Sequence, residues 1–235
     1  MKKYFLSFGL LLTMSLATVV FNSCGDDKDE PKEEQTDPNK PGDPDKPNGN
    51  SGIGSATSTT DPGVVIAGVR WATRNVDAIG TFAPTVESAG KFFQWNRNVA
   101  WDATGDVTGW DKDWNGNNAT NWEKTNDPSP AGWRVPTRDE LSLLLDGKKV
   151  SFKEETQNGV KGGQFTDIAT GNSIFLPAAG CRDRDGKLED ENKEGHYWSG
   201  EMKQNNFGYS LRFTWGRESS GVVYKYGFSL RSVAE

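Results

Sequence analysis

Six tryptophans, Trp95, Trp101, Trp110, Trp114, Trp122 and Trp133, lie in one stretch of this 235-residue chain, interleaved with Asn96, Asn98, Asn115, Asn117, Asn118 and Asn121. Indole faces stack on the C–H surfaces of sugar rings, and carboxamides donate to and accept from hydroxyls, so this mixture has the chemistry of a carbohydrate site. Within it, Trp101, Trp110 and Trp114 stand among Gly, Asn and Asp and are expected to be exposed. With Asn115 and Asn117 they are the candidate ligand-binding residues. The competing reading is that the aromatics form the core of a loop-rich fold, and Trp71, Trp133 and Trp198 fit that reading better.

Catalytic chemistry has little to build on. His196 is the single histidine, which removes histidine metal clusters and most general-base arrangements. It stands beside Tyr197 and Trp198 with no partner nucleophile in sight. The chain has no G-x-S-x-G, H-E-x-x-H or phosphate-loop pattern. The acidic run 183–191 offers oxygens but misses calcium-loop spacing, with Cys181 and Asn192 at the two end positions, and reads as a solvated turn. No enzyme activity, metal or cofactor is expected. The net charge is −6 without a Lys/Arg-dense stripe, so no nucleic-acid partner is expected either.

The N-terminus carries a different signal. Lys2 and Lys3 precede an apolar stretch, residues 5–21, followed at once by Ser23 and Cys24. That stretch is short for a membrane span and has the flanks of an export signal. The cysteine after a small residue resembles a bacterial lipoprotein box, although Phe21 and Asn22 depart from its commonest form. The reading is a signal peptide over 1–23, with Cys24 acylated and anchored in a lipid bilayer. Residues 24–50 hold nine Asp/Glu, four Lys and five Pro. Such sequence cannot bury enough apolar surface to fold, so 24–53 is expected to be a disordered, acidic, Pro-rich tether. Its acidic start resembles the surface-export signal of lipoproteins in the Bacteroidota, implying an outer-membrane lipoprotein displayed at the cell surface. A merely soluble linker is the alternative.

The remaining residues, 54–235, make one domain. Residues 63–71 read as an opening strand or hairpin, with β-branched residues around Ala67-Gly68. Residues 81–127 show little periodicity and are expected to be ordered by buried aromatics. Thr137 and Glu140 form a T-x-x-E capping box ahead of Leu141, Leu144 and Leu145 on one face, predicting one helix over about 137–146. Short strands are expected at 150–153, 173–176, 197–199, 209–213, 222–224 and 228–233, separated by turns such as Asn158-Gly159. One helix followed by many short antiparallel strands predicts an α+β fold.

Five phrases, 68–76 (GVRWATRNV), 128–137 (PSPAGWRVPT), 175–180 (FLPAAG) followed by Arg182, 197–199 (YWS) and 227–233 (GFSLRSV), occur in an order that resembles the Fibrobacter succinogenes major paralogous domain family. The capped-helix phrase also resembles the C-type-lectin-like and formylglycine-generating-enzyme superfamily. The resemblance covers about 64–235 and implies a C-type-lectin-like domain whose first and last strands pair, with long Trp/Asn-rich loops. Relatives often carry Cys where this chain has Ser129 and Ser232, which implies that these two serines lie close together. The enzymes of that superfamily use reactive cysteines. Here the domain has only Cys181, which reads as a buried thiol.

Anchor, tether and Trp/Asn loops together point to a non-catalytic surface binding or adhesion module for polysaccharide or glycan. A structural or accessory subunit, held by a surface protein partner, is the alternative, and a glycan-processing enzyme the third.

Overall fold

The computed structural model describes residues 57–204, 206–214 and 217–235, all within the unit Ser51–Glu235. The signal segment, Cys24 and the tether lie outside the described residues.

The first strands among the described residues form a hairpin, β1 (Val64–Ile66) and β2 (Val69–Trp71), followed by β3 (Lys91–Gln94) and β4 (Trp101–Asp102) in the Trp-rich stretch. β5 (Trp133–Arg134) leads into α1 (Arg138–Leu143). Five strands follow: β6 (Val150–Gln157), β7 (Val160–Asp167), β8 (Ser173–Pro177), β9 (Cys181–Arg182) and β10 (Leu188–Glu189). The last part holds β11 (Gly195–Gln204), β12 (Phe207–Phe213), β13 (Arg217–Val223), β14 (Gly227–Phe228) and β15 (Val233–Ala234). They assemble into four antiparallel sheets, ordered β1-β2-β15-β5, β10-β9-β14-β3-β4, β11-β12-β13 and β6-β7-β8.

Local chemistry accounts for the elements that were predicted. Ala67 and Gly68, at φ 50° and 87°, make the turn of the first hairpin, a conformation in which glycine carries no Cβ penalty. At α1, the Thr137 hydroxyl accepts the Glu140 amide (3.2 Å) and the Glu140 carboxylate accepts the Thr137 amide (2.7 Å), the reciprocal capping box. The helix is shorter than the predicted 137–146. The Leu144 amide turns back to the Leu141 carbonyl (3.1 Å), and Asp146 then accepts the Lys148 and Val150 amides, so the backbone is drawn into a turn before another helical turn can form. Leu141 and Leu144 are buried against β11 and β12, as their spacing required.

Several strands run longer than the sequence suggested, whereas the stretch 228–233, predicted as one strand, forms only β14 at its start and β15 at its end. β11 has ten residues, and β6 and β7 have eight each. β7 was not foreseen, because Gly162 and Gly163 interrupt its β propensity. Both glycines are needed there: a Cβ at Gly162 would sit 2.4 Å from the Phe175 ring, and one at Gly163 would sit 2.6 Å from Phe152.

The core has three parts. One packs α1 and the first hairpin against Val150, Phe165, Tyr197 and Phe213. A second surrounds Trp95, Trp198, Tyr224 and Phe228, and a third surrounds Phe92 and Trp101. The stretch 81–127 is ordered mainly through the last two, with β3, β4 and two 3₁₀ turns as its regular pieces. Val233 of β15 pairs with Trp71 of β2 on one side and Arg134 of β5 on the other. The C-terminal strand thus closes onto the opening hairpin. Beside it the Ser129 and Ser232 hydroxyls meet at 2.7 Å, the proximity the sequence resemblance implied.

Candidate functional site

The candidate tryptophans divide between two parts of the core, and the expectation that they are exposed is corrected. Trp101, on β4, is only 9% exposed and packs at 5.0 Å from Trp110, beside Phe92, Ala103 and Ala179. Trp110 is half-buried and donates through Nε1 to the Arg184 carbonyl (3.2 Å). Its ring fills space left by Gly186 and Gly227, where a Cβ would come within 2.7 and 2.6 Å of it. Trp114 is half-buried, donates to the Trp95 carbonyl (2.7 Å), and has the Arg97 guanidinium over its ring at 4.6 Å. The polar residues around these indoles in sequence do not decide their burial. Glycines and an arginine from elsewhere in the chain cover them. Asn115 and Asn117 are exposed as expected, but the Asn115 side chain accepts the Asn117 amide (3.1 Å) and serves the tight turn at Gly116–Asn118.

A different member of the Trp/Asn stretch faces a cleft. An isolated antiparallel bridge joins Asn121 to Glu201, held by Trp122 N–H to the Gly200 carbonyl (2.6 Å) and Met202 N–H to the Thr120 carbonyl (3.0 Å). This bridge brings Asn121, Trp122 and Glu201 to one cleft of about 370 Å³, which Asp127, Arg134 and Lys124 also line. That volume lies within the roughly 300–1,000 Å³ of ligand clefts. The Trp122 indole is half-buried, set against Trp95 at 5.9 Å, with its Nε1 donating to the Asn126 carbonyl (2.9 Å).

The support beneath the cleft is polar and closed. Asn96, fully buried at φ 56°, accepts the Glu123 amide (2.8 Å) and donates to the Gly116 carbonyl (3.0 Å). Asp127 accepts the Ser129 and Val135 amides (2.8 and 2.9 Å). Arg134 grips Glu140 with two nitrogens (2.8 and 2.7 Å). Burial works to raise the Glu140 pKa, but the Arg134 guanidinium and the Thr137 amide outweigh it and hold the carboxyl below its ordinary range. Among the described residues, no hydrogen bond or ion pair engages the Asn121 amide or the Glu201 carboxylate. The cleft therefore offers an aromatic surface with an uncommitted amide and carboxylate beside it.

A second cleft, of about 740 Å³, is lined by Glu154, Glu155, Lys161, Asn192, Lys193 and Glu194 over Phe213. Phe213 is buried and has no face to give a ligand. At its rim Asp190, Glu194 and His196 place potential ligand atoms within 4.8 Å of one another. Both Glu194 oxygens, however, are taken by Arg212 (2.6 and 2.7 Å), and His196 Nε2 lies 3.1 Å from one of them. A guanidinium already supplies the positive charge that a cation would bring.

His196 itself is 8% exposed and lies tilted against Phe228 at 4.8 Å, with Nδ1 buried and without a hydrogen-bond partner among the described residues. Burial depresses its pKa below 6.5, more than Glu194 raises it. The unfolded chain therefore binds a proton that the native imidazole refuses, and stability falls as pH drops below about 6.5. Urea midpoints between about pH 7.5 and 5.5 should decline in the native sequence and decline less in His196→Phe. Equal slopes would rule out this imidazole as the cause.

Cys181 is buried and its thiol is pushed up to about 12 by burial, reinforced by Asp190 and Glu189, as a structural cysteine should be. In the acidic run, the Asp183 carboxylate accepts the Asp185 and Lys187 amides (2.8 and 2.9 Å) and so closes a turn. The sequence reading passed over Glu201, Asp127 and Arg134. Trp122 and Asn121 stood in the stretch it flagged, but nothing near Glu201 in sequence marks its partner across the bridge.

The described residues define a mostly antiparallel β protein with one short helix, of the α+β class. No protein-family model, curated protein or solved structure matches the chain.

Proposed function

We propose that this protein is a non-catalytic binding or adhesion module for polysaccharide, carried at the cell surface by a lipid on Cys24 and an acidic tether. The observation that carries the reading is the Trp122 cleft, where a half-open indole stands beside an uncommitted carboxamide and carboxylate. Sugars are held by that combination, a stacking surface for C–H faces and planar hydrogen-bonding groups for hydroxyls. The non-catalytic part of the reading is supported by the state of the two best nucleophile or base candidates. The Cys181 thiol is buried, and His196 is enclosed with a carboxylate already neutralised by Arg212.

The export signal and lipoprotein box support the envelope location and the anchor. Membership of the Fibrobacter succinogenes major paralogous family, with a C-type-lectin-like fold, is part of the same proposal. Two features support it: the C-terminal strand pairs with the opening hairpin, and the Ser129 and Ser232 hydroxyls touch.

A ligand that binds only the folded state raises stability by RT ln(1 + [L]/Kd), so even weak glycans register in a melting screen at high concentration. Polysaccharides of the right class are expected to raise the melting temperature of the native protein. Asn121→Ala should lose that shift while keeping the unliganded melting point, and Trp122→Ala should lose it as well. Trp110→Ala should lower the unliganded melting point and keep the shift. A broad polysaccharide panel with no shift, or a shift that survives both cleft substitutions, would refute the assignment.

A further inference from the structure

The charge balance of the Trp122 cleft narrows what it can hold. Its two cations are both engaged: Lys124 meets Glu235 at 3.2 Å, and Arg134 is gripped by Glu140. The pKa of Arg134 is raised first by its Glu140 hydrogen bond, with Asp127 and Glu235 adding to it, so this one guanidinium is surrounded by acids. Against those two cations stand three lining carboxylates, Asp127, Glu201 and Glu235, with Glu140 already bound to Arg134. Asp127 accepts two backbone amides. The Glu201 carboxylate is engaged by no partner among the described residues. The cleft is left with surplus negative charge next to a partly buried indole. A ligand carrying its own anion would be repelled there, and a purely neutral one would leave the Glu201 carboxylate without a countercharge. One carrying a cation beside an apolar ring face satisfies both elements.

We infer, resting on the polysaccharide reading above, that the ligand is an amino sugar polymer with free ammonium groups, its C–H face against Trp122 and an ammonium on Glu201. The indole and the Asn121 amide favour a sugar over a basic peptide, because flat C–H faces and hydroxyls match them directly.

The test measures binding of the full chain by titration calorimetry to four probes: a glucosamine hexamer, its fully N-acetylated counterpart, a cellulose hexamer and a lysine hexamer. The glucosamine hexamer is expected to bind roughly tenfold more tightly than either uncharged sugar at low salt, the factor carried by one well-placed charge contact. The preference should shrink at high ionic strength. Glu201→Gln should abolish the preference with an unchanged melting point, and Glu201→Lys should turn it against the glucosamine probe. If all three sugars bind alike, or Glu201→Gln keeps the preference, the charge inference is overturned and the polysaccharide reading stands. If none of the three sugars binds, the charge inference is overturned, and the broad polysaccharide panel alone decides the reading beneath it. Tight binding of the lysine hexamer without the sugars would overturn the amino-sugar inference in favour of a basic peptide.

Discussion

The double substitution Ser129→Cys/Ser232→Cys is expected to form a disulfide and to raise the melting temperature by roughly 5–15 °C. The two hydroxyls are 2.7 Å apart, Ser232 is fully buried, and the residues stand 103 positions apart in the chain. Side chains already in contact can be bridged with little backbone movement, which is the condition that decides whether an engineered bond stabilises or strains. Closing a loop of about 100 residues removes up to about 4.7 kcal/mol of unfolded-state freedom in the chain-entropy model, with observed gains of about 2–4 kcal/mol. For a domain of this size each kcal/mol moves the midpoint by about 2–4 °C. Cys181 is buried and should not compete for the new thiols. Mass spectrometry should show the loss of two hydrogens, and reductant should return the melting point to that of the native chain. Two free thiols after oxidation, or a lower melting point in the bonded form, would refute the expectation.

Replacing Arg231 is expected to cost about 3–5 kcal/mol. This side chain is 1% exposed, and its guanidinium binds the Asn75 side chain (2.9 Å) and the carbonyls of Ala72 and Phe175 (both 3.1 Å). It therefore fastens the segment just after β2 to the middle of β8, a strand of another sheet. Burial brings its pKa down to about 10, so it remains charged at neutral pH in a dry place where its partners are dipoles. Arg231→Leu keeps apolar volume but leaves those acceptors buried with nothing to receive, and each such group costs about 1–3 kcal/mol. Arg231→Lys keeps the charge and loses the planar fork, so it should fall between the two. Urea unfolding would measure all three forms, and a Leu variant within about 1 kcal/mol of the native chain would show the carbonyls to be satisfied otherwise.

What could be read from the sequence was whatever neighbours in the chain determine. The capping box at Thr137 and Glu140 and the hairpin within 63–71 depend on residues a few positions apart, and both are present. β7 was hidden because its glycines make sense only against Phe152 and Phe175, which lie on the strands beside it. The same limit misplaced the tryptophans. Trp110 looks exposed among its own neighbours, yet Gly186 and Gly227, far along the chain, leave the space it fills. The Trp122 cleft was half legible. Its indole and amide stood in the flagged stretch, while its carboxylates came from Asp127 and from Glu201 across a single bridge. Ser129 and Ser232 were the exception, since their nearness was anticipated from a resemblance and not from any local pattern.

The placing of β15 between β2 and β5 has a consequence for how the protein is made. The opening hairpin emerges early but lacks its sheet neighbour until Val233 has been synthesised, so the sheet that joins both ends of the domain can only be completed last. Contacts of such long range form slowly, in milliseconds to seconds, compared with local helices. That sheet therefore stays open until nearly the whole domain has been synthesised. This also means that a chain cut short before Val233 would lack the strand that joins β2 to β5.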